Sequence, residues 1–348
     1  MIDSDSWSGR AELLQDSLEK YFGAGGCQLL NNSYPLTPGD NDVFNYWWLA
    51  HAIEARLDAY ERTGDARRLD EASEIFRNVL ARNGGTLFND YFDDMGWLGI
   101  ALVRLAELAA SPGYLQQAAD LWRHIRDLGW NEDAGGGIAW RKSQLGYKNT
   151  PANATFIILG TRLHRRTGEA EYLDWSLRAF RWQMATLRRA DGFVEDGINR
   201  EGDGRIDTAW RFTYNQGLVM GACAELATVT GNGDLIEAAF ATEAAAHAEL
   251  ARDGVLVDVG DGGDEGLFKA VWYRYAAQLA ASAGTAHPQT ERLVAHLVAG
   301  CESLWRRGLG EGSLLAGTDW RYPAPAHVPL SAQLAAIIAT EACARVAQ

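Results

Sequence analysis

A short glycine-containing turn recurs along the chain and constrains its fold more than any other feature of the sequence. The turns are Thr63-Gly64-Asp65, Ser111-Pro112-Gly113, Thr167-Gly168-Glu169, Thr230-Gly231-Asn232 and Ala283-Gly284-Thr285. They lie roughly 50 to 60 residues apart, an interval typical of repeat architectures. Glycine fits the left-handed conformation that ends many helices, and a short turn makes its flanking helices antiparallel neighbours. The turns therefore predict helical hairpins.

Each predicted hairpin is followed by a long polar loop rich in glycine, at about 83–91, 129–148, 190–211, 252–264 and 306–330. The helices entered from these loops are the more apolar set, at about 153–163, 217–229, 267–280 and 331–346. Helices that are apolar on nearly all sides are buried, whereas their partners, such as 70–80 and 172–187, alternate with charge and should face solvent.

This alternation predicts an inner ring of helices wrapped by an outer ring. We expect an all-α fold, an (α/α)6 barrel of six helical hairpins that forms a single domain over residues 1–348. A helical solenoid is the alternative. The barrel is preferred because its long loops would converge on one mouth and form an active-site groove there.

Charge and hydropathy exclude several classes of partner. The net charge of −14 argues against nucleic acid and anionic membranes, and no apolar stretch approaches the roughly 18 residues of a membrane span.

The residues 1–7 show no basic or apolar leader region, so we expect a cytoplasmic protein, or a secreted one if a leader was removed. We expect a monomer. The four cysteines are far apart, and small buried residues are the preferred interpretation.

Two neighbouring carboxylates, Asp93 and Asp94, stand where a long loop meets an apolar helix, in the stretch Asn89-Asp90-Tyr91-Phe92-Asp93-Asp94-Met95-Gly96-Trp97. Side chains at successive helical positions diverge by roughly 100°, which can place two carboxyl groups about 5 to 6 Å apart. Glycosidases that retain anomeric configuration use this separation. A structural interpretation competes with the catalytic one, because Asp also caps helices and complements the helix dipole.

In this barrel the N-terminal ends of the inner helices face the groove, and they carry aromatic, amide and basic side chains. The candidate substrate-binding residues are Asn45, Tyr46, Trp47, Trp97, Trp140, Asn149, Asn153, Tyr214, Asn215, Gln216, Lys269 and Arg274. Apolar sugar faces rest on aromatic rings, and sugar hydroxyls bind amides. Each residue alone has a structural alternative, such as a helix cap for Asn149 or a surface charge for Lys269. Their joint placement predicts a sugar site without a metal.

Several of these stretches resemble glycoside hydrolase family 76, the endo-α-1,6-mannanases. The matching motifs, in family order over about residues 40–340, are Tyr91-Phe92-Asp93-Asp94-Met95-Gly96-Trp97, Gly136-Gly137-Ile138-Ala139-Trp140, Lys148-Asn149-Thr150-Pro151-Ala152-Asn153-Ala154, Phe212-Thr213-Tyr214-Asn215-Gln216-Gly217, and Phe268-Lys269 with Arg274.

The resemblance implies an (α/α)6 barrel that cleaves α-1,6-linked mannan or manno-oligosaccharides with retention and without a cofactor. By this resemblance Asp93 is the nucleophile and Asp94 the general acid/base; the residues alone suggest the pair but not the roles. An ionised Asp93 nearby should raise the pKa of Asp94, as its role requires.

Other functions stay open. A transglycosylase would use the same two acids but pass the mannosyl group to a sugar. A sugar epimerase would depend on histidines at the mouth, and none stands at the predicted helix ends. A non-catalytic glycan-binding protein would keep the groove without the chemistry, which the intact Asp-Asp pair argues against.

Two acidic glycine-rich loops resemble calcium sites, but solvated loops are the preferred interpretation. The first holds Asn199, Glu201, Asp203, Gly204 and Asp207, yet Trp210 occupies the position where an EF-hand has glutamate. The second holds Asp258, Asp261, Asp264 and Glu265.

Overall fold

The structure, a computed structural model, describes residues 5–260 and 263–347. Within these residues it contains twelve α-helices: α1 (Trp7–Ser17), α2 (Tyr46–Thr63), α3 (Ala66–Arg82), α4 (Phe92–Leu108), α5 (Pro112–Gly129), α6 (Thr150–Thr167), α7 (Ala170–Thr186), α8 (Thr213–Thr230), α9 (Asp234–Leu250), α10 (Glu265–Ala283), α11 (Thr290–Ser303) and α12 (Leu330–Val346). One π-helical turn, Leu18–Phe22, continues α1, and another, Leu304–Gly308, continues α11.

The strands are short and form three small antiparallel sheets among the described residues. They are β1 (Ser33–Tyr34), β2 (Ala139–Arg141), β3 (Gln144–Asn149), β4 (Gly197–Ile198), β5 (Ala251–Arg252), β6 (Val255–Leu256) and β7 (Val328–Pro329). β1 pairs with β7, β5 pairs with β6, and β3 lies between β2 and β4.

The predicted hairpins are confirmed at their turns. Gly64 ends α2 with φ 70° and Gly168 ends α6 with φ 77°, both in the left-handed region that glycine tolerates. The amide of each glycine donates to a carbonyl four residues earlier, which closes the last helical turn. The next helix begins within three residues of each glycine.

The chain divides into two compact units. The first contains the chain up to Gly84, Phe212–Tyr214 and the chain from His247 onward; the second contains Gly85–Arg211 and Asn215–Ala246.

In the first unit α12 packs between α10 and α2. Helices α10 and α12 are buried along most of their length, as their apolar sequences predict. Helices α1, α3 and α11 pack against this group. Ion pairs join the outer helix α1 to its neighbours, as between Arg68 and Glu12 at 2.7 Å.

In the second unit α4 packs against α6, while α5 and α7 pack against α4 and α6 respectively. Helices α4 and α6 pack closely because two glycines of α4 face α6. A Cβ added to Gly96 would collide with the side chain of Thr155, and one added to Gly99 would collide with Leu159. The first turn of α4 is therefore fixed tightly against α6.

Three of the four cysteines are buried as predicted, but Cys27 is exposed, so that part of the expectation is wrong. Burial raises the pKa of the Cys223 thiol to about 12. None of the helices in residues 5–260 and 263–347 is both long enough and apolar enough to span a membrane.

Candidate active site

Asp93 and Asp94 are the second and third residues of α4, as the sequence predicts. Tyr91 precedes the helix in extended backbone, with φ −98° and ψ 125°. The backbone N–H of Asp94 donates to Asp93 Oδ1 at 3.0 Å. A helix N-terminus presents unpaired N–H groups and the positive end of the helix dipole, so it favours a negative charge at this position.

The second oxygen of Asp93 is bound by a tryptophan. Trp140, in β2, donates its indole N–H to Asp93 Oδ2 at 3.1 Å. The Trp140 ring is half-buried, lies 5.4 Å from the Tyr91 ring, and has the Arg141 guanidinium 4.5 Å from its centre. Both Asp93 oxygens thus accept hydrogen bonds, an arrangement that suits a carboxylate acting as an anion.

Asp94 is oriented by a residue that the sequence analysis did not select. Asn89 Nδ2 donates to Asp94 Oδ2 at 2.8 Å, while Asn89 Oδ1 accepts from the Tyr91 backbone N–H at 3.0 Å. Both aspartates are half-buried. The two carboxylates therefore have different surroundings although they are neighbours in the sequence.

Two buried side chains bind the backbone of the glycine-rich loop that precedes Trp140. Asn153 accepts from the Ile138 N–H at 2.8 Å and donates to the Ile138 carbonyl at 2.9 Å. Lys148 Nζ donates to the Gly137 carbonyl at 2.9 Å, and burial lowers the pKa of this lysine to about 8. Gly137 has φ 90°, and a Cβ there would meet the Trp182 ring. The loop thereby fixes the start of β2.

Two further predicted sugar-binding amides also bind backbone. Asn149 caps α6, with its side-chain oxygen accepting from the Ala152 N–H at 3.2 Å. Gln216 accepts from the Val194 N–H at 2.9 Å and donates to the Val194 carbonyl at 2.7 Å. The contacts of Asn149, Asn153 and Gln216 favour structural roles, and sugar binding by them stays a prediction.

Asp196 is the centre of a buried polar network that the sequence analysis missed. Its carboxylate accepts from Tyr147 Oη at 2.7 Å, Arg200 Nη2 at 2.7 Å and the predicted site residue Asn215 Nδ2 at 2.9 Å. Burial raises the pKa of Asp196. Arg200 Nε also contacts Asp207 at 2.6 Å. No sequence signal separates Asp196 from the other acids of its loop, such as Glu195 and Asp207, because the whole segment is predicted to be a polar loop.

In the first unit the structure brings together four predicted or neighbouring aromatic residues. The Tyr214 ring stacks on Phe268 at 3.9 Å, and Trp47 lies 6.0 Å from Phe268. Trp47 and Trp48 both donate their indole N–H groups to Asp264 Oδ1, at 2.9 and 2.8 Å. Trp47 and Tyr214 are half-buried, so each retains some accessible ring surface.

Two further first-unit candidates lie at the start of α2. Asn45 directly precedes that helix and is half-buried, whereas Tyr46 is buried as its first residue. A sugar contact by Asn45 is compatible with its exposure, and the burial of Tyr46 favours packing.

Three other predicted sugar-binding residues lie in helix interiors or are buried by their neighbours. Lys269 donates to the Thr318 carbonyl at 2.6 Å, and burial lowers its pKa. The Arg274 guanidinium contacts Asp58 at 2.9 Å and Glu54 at 3.3 Å. Trp97 is 4 % exposed within α4. These surroundings favour packing and charge pairing as their roles.

Three candidate residues of the first acidic loop bind partners within that loop. Asp207 pairs with Arg200 at 2.6 Å, Asp203 pairs with Arg205 at 3.4 Å, and Asn199 Oδ1 accepts from the Gly204 N–H at 2.8 Å.

In the second acidic loop Asp258 accepts from the Thr213 N–H and hydroxyl, both at 2.7 Å. Asp264 binds the two indoles described above, and Asp261 lies outside the described residues. Within 5–260 and 263–347, no group of three or more His, Cys, Asp or Glu side chains is arranged to hold a metal ion.

Comparison with known proteins identifies the family. The model of glycosyl hydrolase family 76 matches residues 7–341, almost the whole chain. The chain belongs to this family. The resemblance inferred from the motifs is thereby confirmed.

Two solved structures share the fold over nearly their full length. The Lin0763 protein from Listeria innocua is 43% identical, with a TM-score of 0.94 and 98% of both chains covered. An inactive variant of the α-1,6-mannanase GH76A of a Salegentibacter species, in complex with α-1,6-mannotetraose, is 32% identical, with a TM-score of 0.90 and 97% of this chain covered against 99% of that one. The predicted all-α, (α/α)6 barrel fold class of family 76 is confirmed.

A curated relative is more distant. The mannan endo-1,6-alpha-mannosidase DCW1 of Saccharomyces cerevisiae is 28% identical over 225 residues, which is 58% of this chain and 49% of the relative. The chain spans about half the length of the curated relatives that it matches.

Proposed function

We propose that this member of family 76 is a glycoside hydrolase that cleaves α-1,6-mannosidic linkages in mannan-type polysaccharides or oligosaccharides, with retention of configuration. The observation that carries the proposal is the pair of neighbouring carboxylates, Asp93 and Asp94, half-buried in the first turn of α4. It is the only pair of consecutive aspartates in the 348-residue sequence. The inactive Salegentibacter mannanase variant has two consecutive aspartates replaced by alanine, which supports the same assignment here.

Asp93 is the proposed nucleophile. One of its oxygens attacks the anomeric carbon, the glycosidic C–O bond breaks, and a covalent mannosyl ester forms. The hydrogen bonds from the Asp94 N–H and the Trp140 indole, at 3.0 and 3.1 Å, stabilise the ionised carboxylate before attack. The helix N-terminus adds favourable electrostatics for the same charge.

Asp94 is the proposed general acid/base. It gives its proton to the leaving glycosidic oxygen in the first step and removes a proton from water in the second, when water attacks the anomeric carbon and releases Asp93. The anionic neighbour Asp93 disfavours a second negative charge, which supports the protonated resting form that this role needs. Asn89 orients the carboxyl group through its contact with Oδ2 at 2.8 Å.

We further propose that Trp140, in the second unit, presents an aromatic face to a mannosyl residue. Sugar binding by Trp47 and Tyr214, in the first unit, stays a prediction. All three rings are half-buried rather than fully enclosed, which supports this role. We propose that residues 1–348 act as one catalytic domain, since one family model matches 7–341. The monomeric state stays a prediction. The net charge of −14 argues against nucleic acid as a partner, whereas a neutral sugar substrate would be indifferent to it. The compartment stays a prediction.

The test is incubation with linear α-1,6-mannan, with product sizes followed by chromatography and the anomeric configuration by proton NMR. The wild-type chain should release shorter α-configured products. Asp93→Asn and Asp94→Asn should each lower turnover by roughly a thousandfold or more while the circular dichroism spectrum stays unchanged. Asp90→Asn is the matched control, because this neighbouring aspartate contacts Ser143 at 2.8 Å outside the pair.

Near-wild-type turnover by either pair variant would refute the assignment of roles. Products longer than the starting chain, seen only when an acceptor sugar is added, would indicate transglycosylation instead of hydrolysis. Binding of mannan without any bond cleavage by the wild type would refute an enzymatic function.

A further inference from the structure

Tyr147 connects the buried Asp196 network to the tryptophan that binds Asp93. It lies in β3 and is 1% exposed. Its ring packs against Trp140 in a T-shaped arrangement, with centroids 5.8 Å apart and planes at 83°. Its hydroxyl donates to Asp196 at 2.7 Å. The residue therefore contacts the network with its hydroxyl and Trp140 with its ring.

The network fixes Tyr147 in two directions. Asp196 binds the hydroxyl, and the Arg200 guanidinium lies 4.4 Å from the ring centre and also contacts the hydroxyl. Arg200 is in turn held by Asp196 at 2.7 Å and Asp207 at 2.6 Å. Losing one member of a buried polar network leaves its partners unsatisfied, so such networks are stiff. Asp196 and Arg200 thus allow Tyr147 little freedom to rotate.

Trp140 depends on its neighbours because its hydrogen bond to Asp93 is directional. At 3.1 Å the indole N–H is already near the long end of the normal range, and a tilt of the ring would weaken the bond steeply. Tyr91 and Arg141 contact Trp140 at 5.4 and 4.5 Å, but both are themselves only half-buried. Of these three neighbours, Tyr147 is the fully buried one.

We propose that Tyr147 is a positioning residue for the reaction, and that through its ring it keeps the Trp140 indole N–H directed at Asp93. The inference rests on the proposed function, in which Asp93 is the nucleophile. It assigns the Asp196–Arg200 pair the task of holding Tyr147, and thus extends the catalytic machinery from α4 through β2 to β3.

A double-mutant cycle tests the proposal, with turnover on α-1,6-mannan as the readout. Trp140→Phe removes the N–H donor to Asp93 and should lower kcat by roughly tenfold to a hundredfold. Tyr147→Leu should lower kcat by roughly tenfold and leave KM within about twofold, since it does not contact the sugar. In the Trp140→Phe background, the same Tyr147→Leu change should lower kcat by less than about twofold, because the bond that it supports is already gone.

A matched control separates positioning from general stability. Tyr172 makes a similar T-shaped contact elsewhere in the second unit, with its ring centroid 4.7 Å from that of Trp122 and the planes at 75°. Tyr172→Leu should lower the melting temperature as Tyr147→Leu does but leave kcat unchanged. Tyr147→Phe keeps the aromatic ring and loses only the hydroxyl, so it should give a smaller fall in kcat than Tyr147→Leu. It also replaces Tyr147→Leu in the cycle if the latter does not fold.

Equal effects of the Tyr147 change in the wild-type and Trp140→Phe backgrounds would overturn the positioning role and leave the proposed function standing. A wild-type chain without turnover on α-1,6-mannan would overturn both.

Discussion

Replacing Lys148 with methionine should change how the stability of the protein depends on pH. Lys148 is 0% exposed, and its ammonium donates to the Gly137 carbonyl at 2.9 Å. Burial disfavours the charged form and lowers its pKa to about 8. Methionine has a similar length and no charge, so Lys148→Met removes both the titration and the hydrogen bond.

The size and sign follow from proton linkage. A lysine pKa of roughly 10.4 in the unfolded chain against about 8 in the folded protein corresponds to about 3 kcal/mol. Between these values the unfolded state binds more protons, so the contribution of Lys148 to the free energy of unfolding rises with pH across this window. Below pH 8 the folded protein carries the full cost of a buried charge.

The assay is urea unfolding of wild type and Lys148→Met at pH 7, 8, 9 and 10. The free energy of unfolding of the wild type relative to the variant should increase by roughly 2 to 3 kcal/mol from the lowest to the highest pH. Lys20→Met, at an exposed lysine, is the control and should show a difference from wild type that is nearly constant with pH. Parallel curves for wild type and Lys148→Met would refute the reasoning, because they would mean that Lys148 titrates alike in both states.

Two other predictions concern the helix contact and the acidic loops. Gly96→Ala should lower the free energy of unfolding, measured in urea, by roughly 1 to 3 kcal/mol, because its Cβ meets Thr155. Adding Thr155→Ala should recover part of this loss. Gly233→Ala is the control and should change the free energy of unfolding little, because the space around Gly233 is open. Equal effects of Gly96→Ala with and without Thr155→Ala would contradict this packing explanation. Chelator should leave the melting temperature unchanged, since Arg200 already pairs with Asp207 and Arg205 with Asp203. A fall in melting temperature with EDTA that calcium reverses would show that the loops hold an ion.

The helical framework could be predicted because its signals are local. A glycine in left-handed conformation at Gly64 or Gly168 ends one helix and permits the next, and both constraints appear within a few residues of sequence. The placement of Asp93 and Asp94 in a first helical turn is local in the same way. The loop 190–211 was different. Its composition suggested a solvated segment, but Asp196 is buried by partners that come from β3 and the start of α8.

Partners that are distant in the sequence also explain why the sequence predicts sugar binding for several amide side chains that bind backbone in the structure. An amide side chain has a carbonyl oxygen that accepts hydrogen bonds and an NH2 group that donates them. The N–H and C=O groups of the backbone can bind both as well as a sugar hydroxyl can. Asn153 and Gln216 each bind both the N–H and the carbonyl of a single residue, Ile138 and Val194 respectively. Residue type therefore cannot separate holding a loop from binding a ligand. Burial separates them, because a group that has no accessible surface can position a residue such as Trp140, for which we propose sugar binding, but cannot itself contact the sugar without moving.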